Sequence, residues 1–577
     1  MEEDHLILHR LVSSACRNAP FRAGFLLMAA SALPVAAFFP PVEPGIPNRP
    51  AILLETNFYV FTSALELTEP DLDLTLDARG YTTPATVYLY WEDRATQART
   101  WYNQGTNSFG SEEIDVFGSA GAAQAIDLTG LGSRFGASSN TSRLFGSGGA
   151  LGGLPASVPR ATGLYQFVLE IRDAVGDKVI ARGNAMYSHV DAVVHQVGNI
   201  TSNETWTANN AYYLNGPTFI DGGATLTIEP GTFVFGGNVN QGVLVVKPGS
   251  KIMAAGTARM PIVMTSEFDV GEREPGDWGG LVISGNAPCN VCPREGEGDS
   301  GLFGGSNAAD SSGRLSYVRV EFAGIRFTDE NELNGIALQG VGSGTQIDHV
   351  QVHHNADDGI EFFGGTVDAK YVLITDSQDD SIDWTFGWRG RMQHAVVLQR
   401  FDDHDKGIEA DNEKSNNNLE PRSHPTIYNL TISMWRDSGD PGILLRRGTA
   451  ITLRNAIVMN AKDYAVDIDG AVTESLVGNL LTIDDSIFFN NRDGFANVDL
   501  KATNILAANP LLPNSRSRVQ PDLAPLPGSP ARSGGAPIPA AVAASSGDDF
   551  FDAVTHIGGV SPEDPWVDDG WTTFSDN

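Results

Sequence analysis

Hydrophobic and polar residues repeat in short units in this chain after about residue 200. Each unit begins with a small residue, often glycine, followed by an apolar, a variable and an apolar position. Successive units start 24, 22, 26, 35 and 23 residues apart, and the longest interval contains the polar insertion 415–425. This alternation predicts short β-strands with one buried face. The units begin at Gly335, Gly359, Ser381, Gly407, Gly442 and Ala465.

A second family of apolar strands alternates with the first. Two or three strands in every 22–26 residues correspond to one coil of a β-solenoid, and stacked coils lie about 4.8 Å apart. We therefore predict an all-β protein in which residues 196–505 form a right-handed parallel β-helix of roughly a dozen coils. The second family begins at Val318, Val350, Val372, Ala395, Leu430, Ile457 and Ile487.

The regions on either side of the repeats have different patterns. In residues 38–195, segments 87–91 and 165–171 alternate as strands, which predicts an immunoglobulin-like β-sandwich. The Gly- and Ser-rich stretch 118–155 is predicted to be a long loop. Residues 506–577 are interpreted as a Pro-, Ala- and Gly-rich strap followed by a C-terminal aromatic module, which contains Trp566 and Trp571.

Residues 1–37 are predicted to be a signal peptide. Arg17 and Arg22 precede a short apolar run, and Val35-Ala36-Ala37 supplies the small residues of a cleavage site. Lipidation at Cys16 is the alternative, although no apolar run precedes that cysteine. The sequence therefore predicts an exported protein.

The formal net charge of −33 limits the classes of partner. Such a surface repels nucleic acid and anionic lipid, so no nucleic-acid partner is expected. No transmembrane segment is expected either, because the apolar run at residues 23–37 is too short to span a bilayer. An acidic surface suits a protein that binds divalent cations, and Ca²⁺ is the candidate cofactor.

Four stretches of the repeat region resemble a known group of proteins. They are residues 223–232, 251–266, 277–285 and 317–390. Together with the closing residues 569–572, they are similar to secreted or outer-membrane-associated bacterial β-helix proteins of the pectin-lyase-like superfamily, a group that includes a leptospiral surface lipoprotein. The resemblance covers roughly residues 200–577. It implies the parallel β-helix fold and a location at a bacterial surface, and it carries no established reaction.

Alternation along the strands predicts a row of acidic side chains on the outside of the β-helix. Because Ile360, Ile382 and Ile408 point inward, Glu361, Asp383 and Glu409 should point toward solvent on consecutive coils. Asp411 lies two residues further along, and Arg446 should lie between Asp411 and Asp469.

The predicted acidic row has three interpretations. It is a solvated face, a Ca²⁺ site formed by Glu361, Asp383, Glu409 and Asp411, or a catalytic carboxylate pair chosen from the first three. The polygalacturonase-like members of the superfamily carry Gly-His-Gly and Arg-Ile-Lys motifs beside their aspartates. Neither motif occurs here, which argues against the catalytic interpretation.

Two further segments contain candidate functional residues. Trp388, Arg389 and Arg391 lie in a predicted turn, where they could contact a carbohydrate ligand. Cys289 and Cys292 lie between two prolines in an insertion and are predicted to form a structural disulfide, since export would place them in an oxidising compartment. His353 and His354 should point to opposite sides of a strand, which argues against a shared metal site.

These observations favour non-catalytic binding of a glycan, a matrix component or a surface protein. The alternatives are a polysaccharide lyase or glycoside hydrolase that uses the acidic row, and a structural envelope protein. The sequence does not decide whether the chain is an enzyme, and the observations above favour a non-catalytic protein.

Overall fold

A computed structural model describes most of residues 51–575. The signal segment 1–37 and Cys16 lie outside the described residues. Within residues 51–575 the gaps are 57–59, 63–71, 78–82, 104–107, 112, 114–115, 117–140, 146–160, 298–299, 329–330, 400–403, 436–440, 499, 501–503, 516, 518–519 and 538–549.

The N-terminal region contains two sheets that share one apolar core. The antiparallel three-stranded sheet consists of Ala51–Thr56, Leu72–Asp77 and Thr141–Phe145. Residues of both sheets are buried in one cluster, as the two-layer prediction requires. The immunoglobulin-like assignment itself stays a prediction. The six-stranded sheet consists, in spatial order, of Val60–Thr62, Val179–Val190, Gly163–Asp173, Ala85–Asp93, Arg99–Asn103 and Ser108–Gly110.

The stretch 118–155 differs from its prediction. We expected one long loop, but Thr141–Phe145 is a strand that pairs with Leu72–Asp77. Its last two residues, Leu144 and Phe145, are both buried in the N-terminal core. An apolar pair of this kind can add a strand to a sheet edge even inside a Gly- and Ser-rich segment.

The rest of the chain winds into a parallel β-helix, as predicted, with three sheets along its length. In the part that the structure describes, each sheet contains ten to twelve stacked strands.

Five long strands bend and contribute to both the first and the second sheet. They are Gly313–Glu321, Gln346–His353, Asp368–Thr375, Arg391–Leu398 and Thr426–Ser433. The first sheet also contains Glu204–Trp206, Thr225–Ile228, Lys251–Ala255, Ile451–Arg454 and Leu481–Asp484. The second sheet also contains Phe233–Gly236, Ile262–Ser266, Ile457–Met459, Ile487–Phe489 and Ile505–Leu506.

The third sheet carries the predicted acidic row. Ala192–Ile200 and Asn210–Ile220 begin the β-helix and contribute to both the second and the third sheet. The remaining strands of the third sheet are Val243–Val246, Leu281–Ser284, Ile336–Gln339, Ile360–Phe363, Ile382–Thr385, Ile408–Ala410, Ile443–Leu445, Tyr464–Ile468 and Asp493–Ala496.

Inward-pointing side chains from all three sheets form one continuous core. Ile336, Ile360, Ile382 and Ile408 stack in register on consecutive coils, and each is fully buried. Trp384 is also in this core, as its place in the alternation predicts. Stacking of like residues lets each coil bury its apolar face against the next.

The corner between the first and second sheets consists of residues with positive φ. Tyr317, His349, Tyr371 and His394 have φ between 49° and 57°, and their rings stack at centroid distances of 4.2, 4.3 and 4.8 Å. Positive φ is unusual for residues with side chains. The repeated stack stabilises this conformation at the same corner in four successive coils.

Segments outside the coils cover two of the sheets. One insertion contains the paired strands Arg294–Glu295 and Leu302–Phe303, and a second contains Arg326–Thr328 and Asn331–Glu332. The C-terminal segment, which includes the 3₁₀ helices Pro530–Arg532 and Trp566–Asp568, packs on the outside of the second sheet. The short helix Ala471–Glu474 lies near the far end of the β-helix. Among the described residues, no helix has both the length and the apolarity needed to cross a membrane.

Candidate functional site

The predicted acidic row has the expected register. Glu361 pairs with Asp383, and Asp383 pairs with Glu409, on three consecutive strands of the third sheet. Ala337 precedes the row and Leu444 follows it. The three carboxylates therefore project from the outer side of adjacent coils.

The expectation that these side chains face open solvent was wrong. Glu361 and Glu409 are each only 8% exposed, and Asp383 is half-buried. The neighbouring turns and insertions close over the row: the Asn334 side-chain amide donates to Glu361 at 2.7 Å, and Lys406 Nζ lies 3.0 Å from Glu409. Alternation along a strand determines the face toward which each side chain points, but it does not show which other segments of the chain cover that face.

Two further polar rows run beside the first, and the sequence interpretation missed them. Asp357, Asp379 and Asp405 form one row, three residues before the start of each third-sheet strand. Asp358, Asp380 and Lys406 form the other. The signal was an acidic residue four positions before each member of the first row, in segments 357–361, 379–383 and 405–409. We call these nine residues, on three successive coils, the acidic grid.

Backbone hydrogen bonds hold the grid in place. The backbone N–H of Asp380 donates to Asp358 Oδ1 at 3.0 Å, and that of Lys406 donates to Asp380 Oδ1 at 2.9 Å. Each carboxylate thus contacts the coil that follows it. Asp383 Oδ1 differs, because it is buried and has no hydrogen-bond partner among the described residues.

The grid, together with the neighbouring Glu332, brings carboxylate oxygens into three groups, and the oxygens of each group lie within 4.8 Å of one another. The innermost group is Asp358, Asp380 and Asp383. Two groups nearer the surface share Asp379, which joins Glu332 and Asp357 in one group and Asp380 and Asp405 in the other. Groups of three carboxylates at this spacing have the donor set and dimensions of a cation site.

Burial makes the grid difficult to ionise completely. It raises the pKa of Asp380 to about 8, although Lys406 lies nearby. Burial, reinforced by Glu332 and Glu297, raises the pKa of Asp357 to about 9. The pKa values of Asp358, Glu361 and Asp383 are likewise well above the usual range, chiefly through burial and then through their acidic neighbours. At neutral pH the grid therefore requires protons or a cation.

The end of the row near Glu409 is already compensated by basic side chains. Arg446 contacts Glu409, and its Nε lies 2.9 Å from Asp411. Arg447 also contacts Asp411. Of the four metal ligands that we predicted, only Asp383 belongs to one of the compact carboxylate groups. Glu409 and Asp411 are in ion pairs, and Glu361 is held by Asn334.

The inner group fits Ca²⁺ better than it fits a softer metal. Its donors are hard carboxylate oxygens, and Asp358 and Asp380 each keep one oxygen free of the backbone contacts described above. Asp383 Oδ1 supplies an acceptor that the protein leaves unsatisfied. Three carboxylates with one Ca²⁺ leave a single net negative charge, and Lys406 lies 3.6 Å from Asp380 to offset it.

The predicted ligand contact at Trp388 was wrong. Trp388 is fully buried in the core and stacks on Phe362 at a centroid distance of 3.9 Å. Its indole N–H donates to the carbonyl of Val367 at 3.1 Å, so the polar atom of the ring is satisfied internally. Arg389 is exposed, whereas Arg391 pairs with Asp368 at 2.5 Å. Gly387, directly before Trp388, has a positive φ of 91°.

Cys289 and Cys292 lie in the insertion that covers the first half of the third sheet. The structure joins their sulfur atoms, and the Cα atoms are 5.2 Å apart. Cys289 packs with Val282 and Phe363 of the sheet. The same insertion contributes Glu297, whose carboxylate accepts from Asn334 at 3.3 Å, so the disulfide segment borders the acidic grid.

Comparisons with curated proteins and with solved structures give only distant similarities. No curated protein matches the chain. One similar solved structure is the catalytic domain of a GH87 α-1,3-glucanase variant in complex with tetrasaccharides, at 11% identity and a TM-score of 0.25, covering 80% of this chain and 98% of that one. Another is the catalytic unit of the thermostable GH87 α-1,3-glucanase from Streptomyces thermodiastaticus strain HF3-3, at 11% identity and a TM-score of 0.27, covering 76% and 88%. Scores this low support no argument about the fold or the activity of this chain.

A family model described as "Pectate-lyase like beta helix domain" matches residues 198–517. This range contains most of the three-sheet solenoid and the entire acidic grid. The chain therefore belongs to the pectate-lyase-like β-helix family.

Proposed function

We propose that this protein binds an acidic polysaccharide through the third sheet, and that Ca²⁺ held by the acidic grid is required. The observation that carries the proposal is the arrangement of the three carboxylate groups on successive coils. The inner group would hold a Ca²⁺ that stabilises the coils. The two outer groups would hold Ca²⁺ where a ligand can reach it.

The exposure of the outer groups supports this division. The side chains of Asp405 and Glu332 are 31% and 19% exposed, respectively, and Asp379 is also half-buried. A cation there keeps coordination positions that a uronate carboxylate can fill. Since the net charge of −33 otherwise repels an acidic polymer, the bridging cation also explains how such a ligand could approach.

The test is a titration of the full chain with polygalacturonate, a probe for acidic polysaccharides, with Ca²⁺ in one arm and EDTA in the other. We expect binding only with Ca²⁺, and about tenfold or greater weakening in Asp379→Asn, because Asp379 belongs to both outer groups. Asp467→Asn is the matched control, since it lies on the third sheet beyond the grid. Equal binding in EDTA, or equal binding of neutral dextran, would contradict the proposal.

A second candidate function, polysaccharide cleavage, has one observation in its favour. Glu361 is a buried carboxyl whose pKa is well above the usual range, as a general acid requires. Glu409 lies two coils away, contacting Lys406 and Arg446. Two coils span about 9–10 Å. This distance is at the upper end of the range that separates the two catalytic carboxyl groups of inverting glycosidases.

Measurement of reducing ends and of unsaturated products in the same incubations separates cleavage from binding. If the protein is catalytic, Glu361→Gln should lose product formation and keep polymer binding. If the wild type forms neither reducing ends nor unsaturated products, cleavage is contradicted and binding is the only function that the experiment supports.

Export of the mature chain after Ala37 is part of the proposal, because a polysaccharide ligand is met outside the cytoplasm. N-terminal sequencing of the native protein tests it. An intact Met1 on cytoplasmic protein would contradict it, and mass spectrometry without reduction would show whether Cys289 and Cys292 are bonded in that material.

A further inference from the structure

A cavity of about 300 Å³ lies where the N-terminal region, the second sheet and the C-terminal segment meet. Its walls include residues 52–54 and 179–186 of the two N-terminal sheets, Arg319 of the second sheet, and residues between 567 and 575 of the C-terminal segment. The volume is at the lower end of the range for small-molecule sites, and such sites often form where separate folding units meet. The cavity therefore has room for one small ring and not for a long ligand.

Hydrogen bonds between these regions hold the walls in place. The Gln520 side chain accepts from the backbone N–H of Ile52 at 3.3 Å and donates to the carbonyl of Arg182 at 2.8 Å, so it joins both N-terminal sheets to the C-terminal segment. Arg319 Nη1 donates to the carbonyl of Trp571 at 3.1 Å. Because the walls are already ordered, a ligand that enters the cavity loses little free energy in ordering them.

The lining of the cavity is part apolar and part polar. Leu54 and Met186 are buried and contribute apolar surface, together with Phe574. Asn184 and Asn514 also line the cavity and are half-buried. In the part of the chain that the structure describes, neither side-chain amide has a hydrogen-bond partner. Each amide offers two donor hydrogens and one acceptor oxygen, so unused donors and acceptors lie beside apolar surface.

The charged groups that line the cavity balance one another. Arg319 Nε lies 2.8 Å from Glu321 Oε1, and the Asp522 carboxylate accepts from the backbone N–H of Ala524 at 3.1 Å. A charged ligand would meet no excess of opposite charge here, so the lining favours a neutral ligand. The charged residues of the lining are Arg182, Arg319, Asp522 and Asp568.

We propose that this cavity binds one neutral monosaccharide, with the amides of Asn184 and Asn514 as its hydrogen-bonding groups. A sugar hydroxyl both donates and accepts, as a carboxamide does, and the C–H groups of a pyranose ring can pack against Leu54 and Phe574. The site is separate from the acidic grid, and it needs no cation because its hydrogen-bonding groups are neutral. It does not depend on the function proposed for the third sheet.

The test is a titration of the full chain in EDTA with D-glucose, D-galactose and D-mannose, measured by saturation-transfer NMR of the sugar. We expect at least one of the three to bind. The corresponding uronate, in which a carboxylate replaces the hydroxymethyl group at C6, should bind more weakly because no basic group of the lining is in excess.

Two alanine variants and one larger substitution locate the binding. Asn184→Ala and Asn514→Ala should each weaken binding of the sugar by about fivefold. Asn184→Phe should abolish binding, because its ring occupies the cavity. Circular dichroism verifies that each variant folds, as expected for amides that make no hydrogen bond within the described fold. The matched control is Asn209→Ala, which removes an exposed asparagine near the start of the β-helix.

A comparison with the acidic grid separates the two sites. Asp379→Asn alters the grid and should leave binding of the monosaccharide unchanged. The inference is overturned if none of the three sugars binds to the wild type, if both alanine variants bind the sugar as tightly as the wild type, or if the uronate binds as tightly as the neutral sugar.

Discussion

The outer faces of the second and third sheets are formed by the same strand alternation, but their side chains differ in chemical character. On the second sheet, Leu373, Val396 and Ile457 point outward and pack against the C-terminal segment. On the third sheet, the outward positions at the same coils carry the acidic grid. The outer face of the second sheet is covered by the C-terminal segment. The outer face of the third sheet carries carboxylates whose charge the neighbouring basic residues neutralise only in part.

The difference shows that a β-helix face is defined by what covers it as much as by its own residues. The C-terminal segment supplies backbone partners to the second sheet: the carbonyl of Trp571 accepts from Arg319 at 3.1 Å, and Thr573 exchanges two hydrogen bonds with Gln351. Over the grid, the covering groups include Glu297, a further carboxyl group that raises the pKa of Glu361. A face that is buried without being neutralised has the properties of a binding site.

The largest effect should come from loosening the cover of the second sheet. Trp571 is fully buried, its indole donates to the carbonyl of Trp566, and its ring packs edge-on against Tyr317. Trp571→Ala should cost about 3–5 kcal/mol of unfolding free energy, as large-to-small changes of buried aromatic residues do. Denaturant unfolding measures the loss.

Limited proteolysis of the same variant should cut the C-terminal segment first, while the coils remain protected. Leu480→Ala is the control, because Leu480 is 37% exposed and its truncation should cost little. A Trp571→Ala protein as stable as the wild type would show that the cover is dispensable.

The contrast between the two faces also separates what was predictable from what was not. The inward rows of Ile360, Ile382 and Ile408, and therefore the register of Glu361, Asp383 and Glu409, follow from period-two alternation. The covering segments do not, because they come from distant parts of the chain whose docking has no periodic signal. That is why Glu361 was expected in solvent and is buried.

The orientations of side chains at the corners between strands were not predicted, for a different reason. Trp388 and His354 lie where the strand pattern stops, at or beside residues with positive φ. Trp388 was expected at the surface because it lies in a turn, and alternation holds only within a strand, so it gives no reliable side for either residue. The Asp-Asp pairs 357–358 and 379–380 were visible in the sequence, and their repetition ahead of each Ile could have revealed the full grid.

The next largest effect concerns the compensated end of the grid. Arg446 contacts both Glu409 and Asp411, so Arg446→Gln leaves Glu409 dependent on Lys406 and Asp411 dependent on Arg447. We expect a loss of about 2–3 kcal/mol, below the full cost of breaking a buried pair because Arg446 is 25% exposed. Thermal unfolding at pH 7 measures it.

Arg389→Gln serves as the matched control, since that arginine is exposed on the neighbouring turn. If both variants unfold at the same temperature, the ion pairs of Arg446 contribute nothing, and the compensated end is not different from the rest of the surface.

A smaller loss should follow from Gln351→Ala. The Gln351 side chain donates to the carbonyl of Thr573 at 2.6 Å and accepts from its N–H at 2.9 Å. Removing both bonds should cost about 1–2 kcal/mol. Gln346→Ala, at the exposed start of the same strand, should be neutral, and denaturant midpoints of the two variants measure the difference.

The most diagnostic effect is the dependence of stability on pH. Burial raises the pKa of Asp380 to about 8 and that of Asp357 to about 9, so the folded protein binds protons that the unfolded chain releases near pH 4. This stabilisation is complete below pH 4 and is lost as pH rises through 8 and 9. Metal-free protein should therefore melt at a higher temperature at pH 5.5 than at pH 8.5.

Asp383→Asn removes one charge that raises the pKa of Asp358 and Glu361. It should stabilise the metal-free protein at pH 8.5 by roughly 1 kcal/mol, since it relieves repulsion between neighbouring carboxylates. Millimolar Ca²⁺ should raise the melting temperature of the wild type at pH 8.5 and have little effect on this variant, because Asp383 belongs to the inner group. Asp467→Asn should respond to Ca²⁺ as the wild type does. A wild type whose melting temperature rises steadily from pH 5.5 to 8.5 without metal would show that the buried carboxylates of the third sheet are fully compensated by protein, as the second sheet is, and the distinction between the two faces would fail.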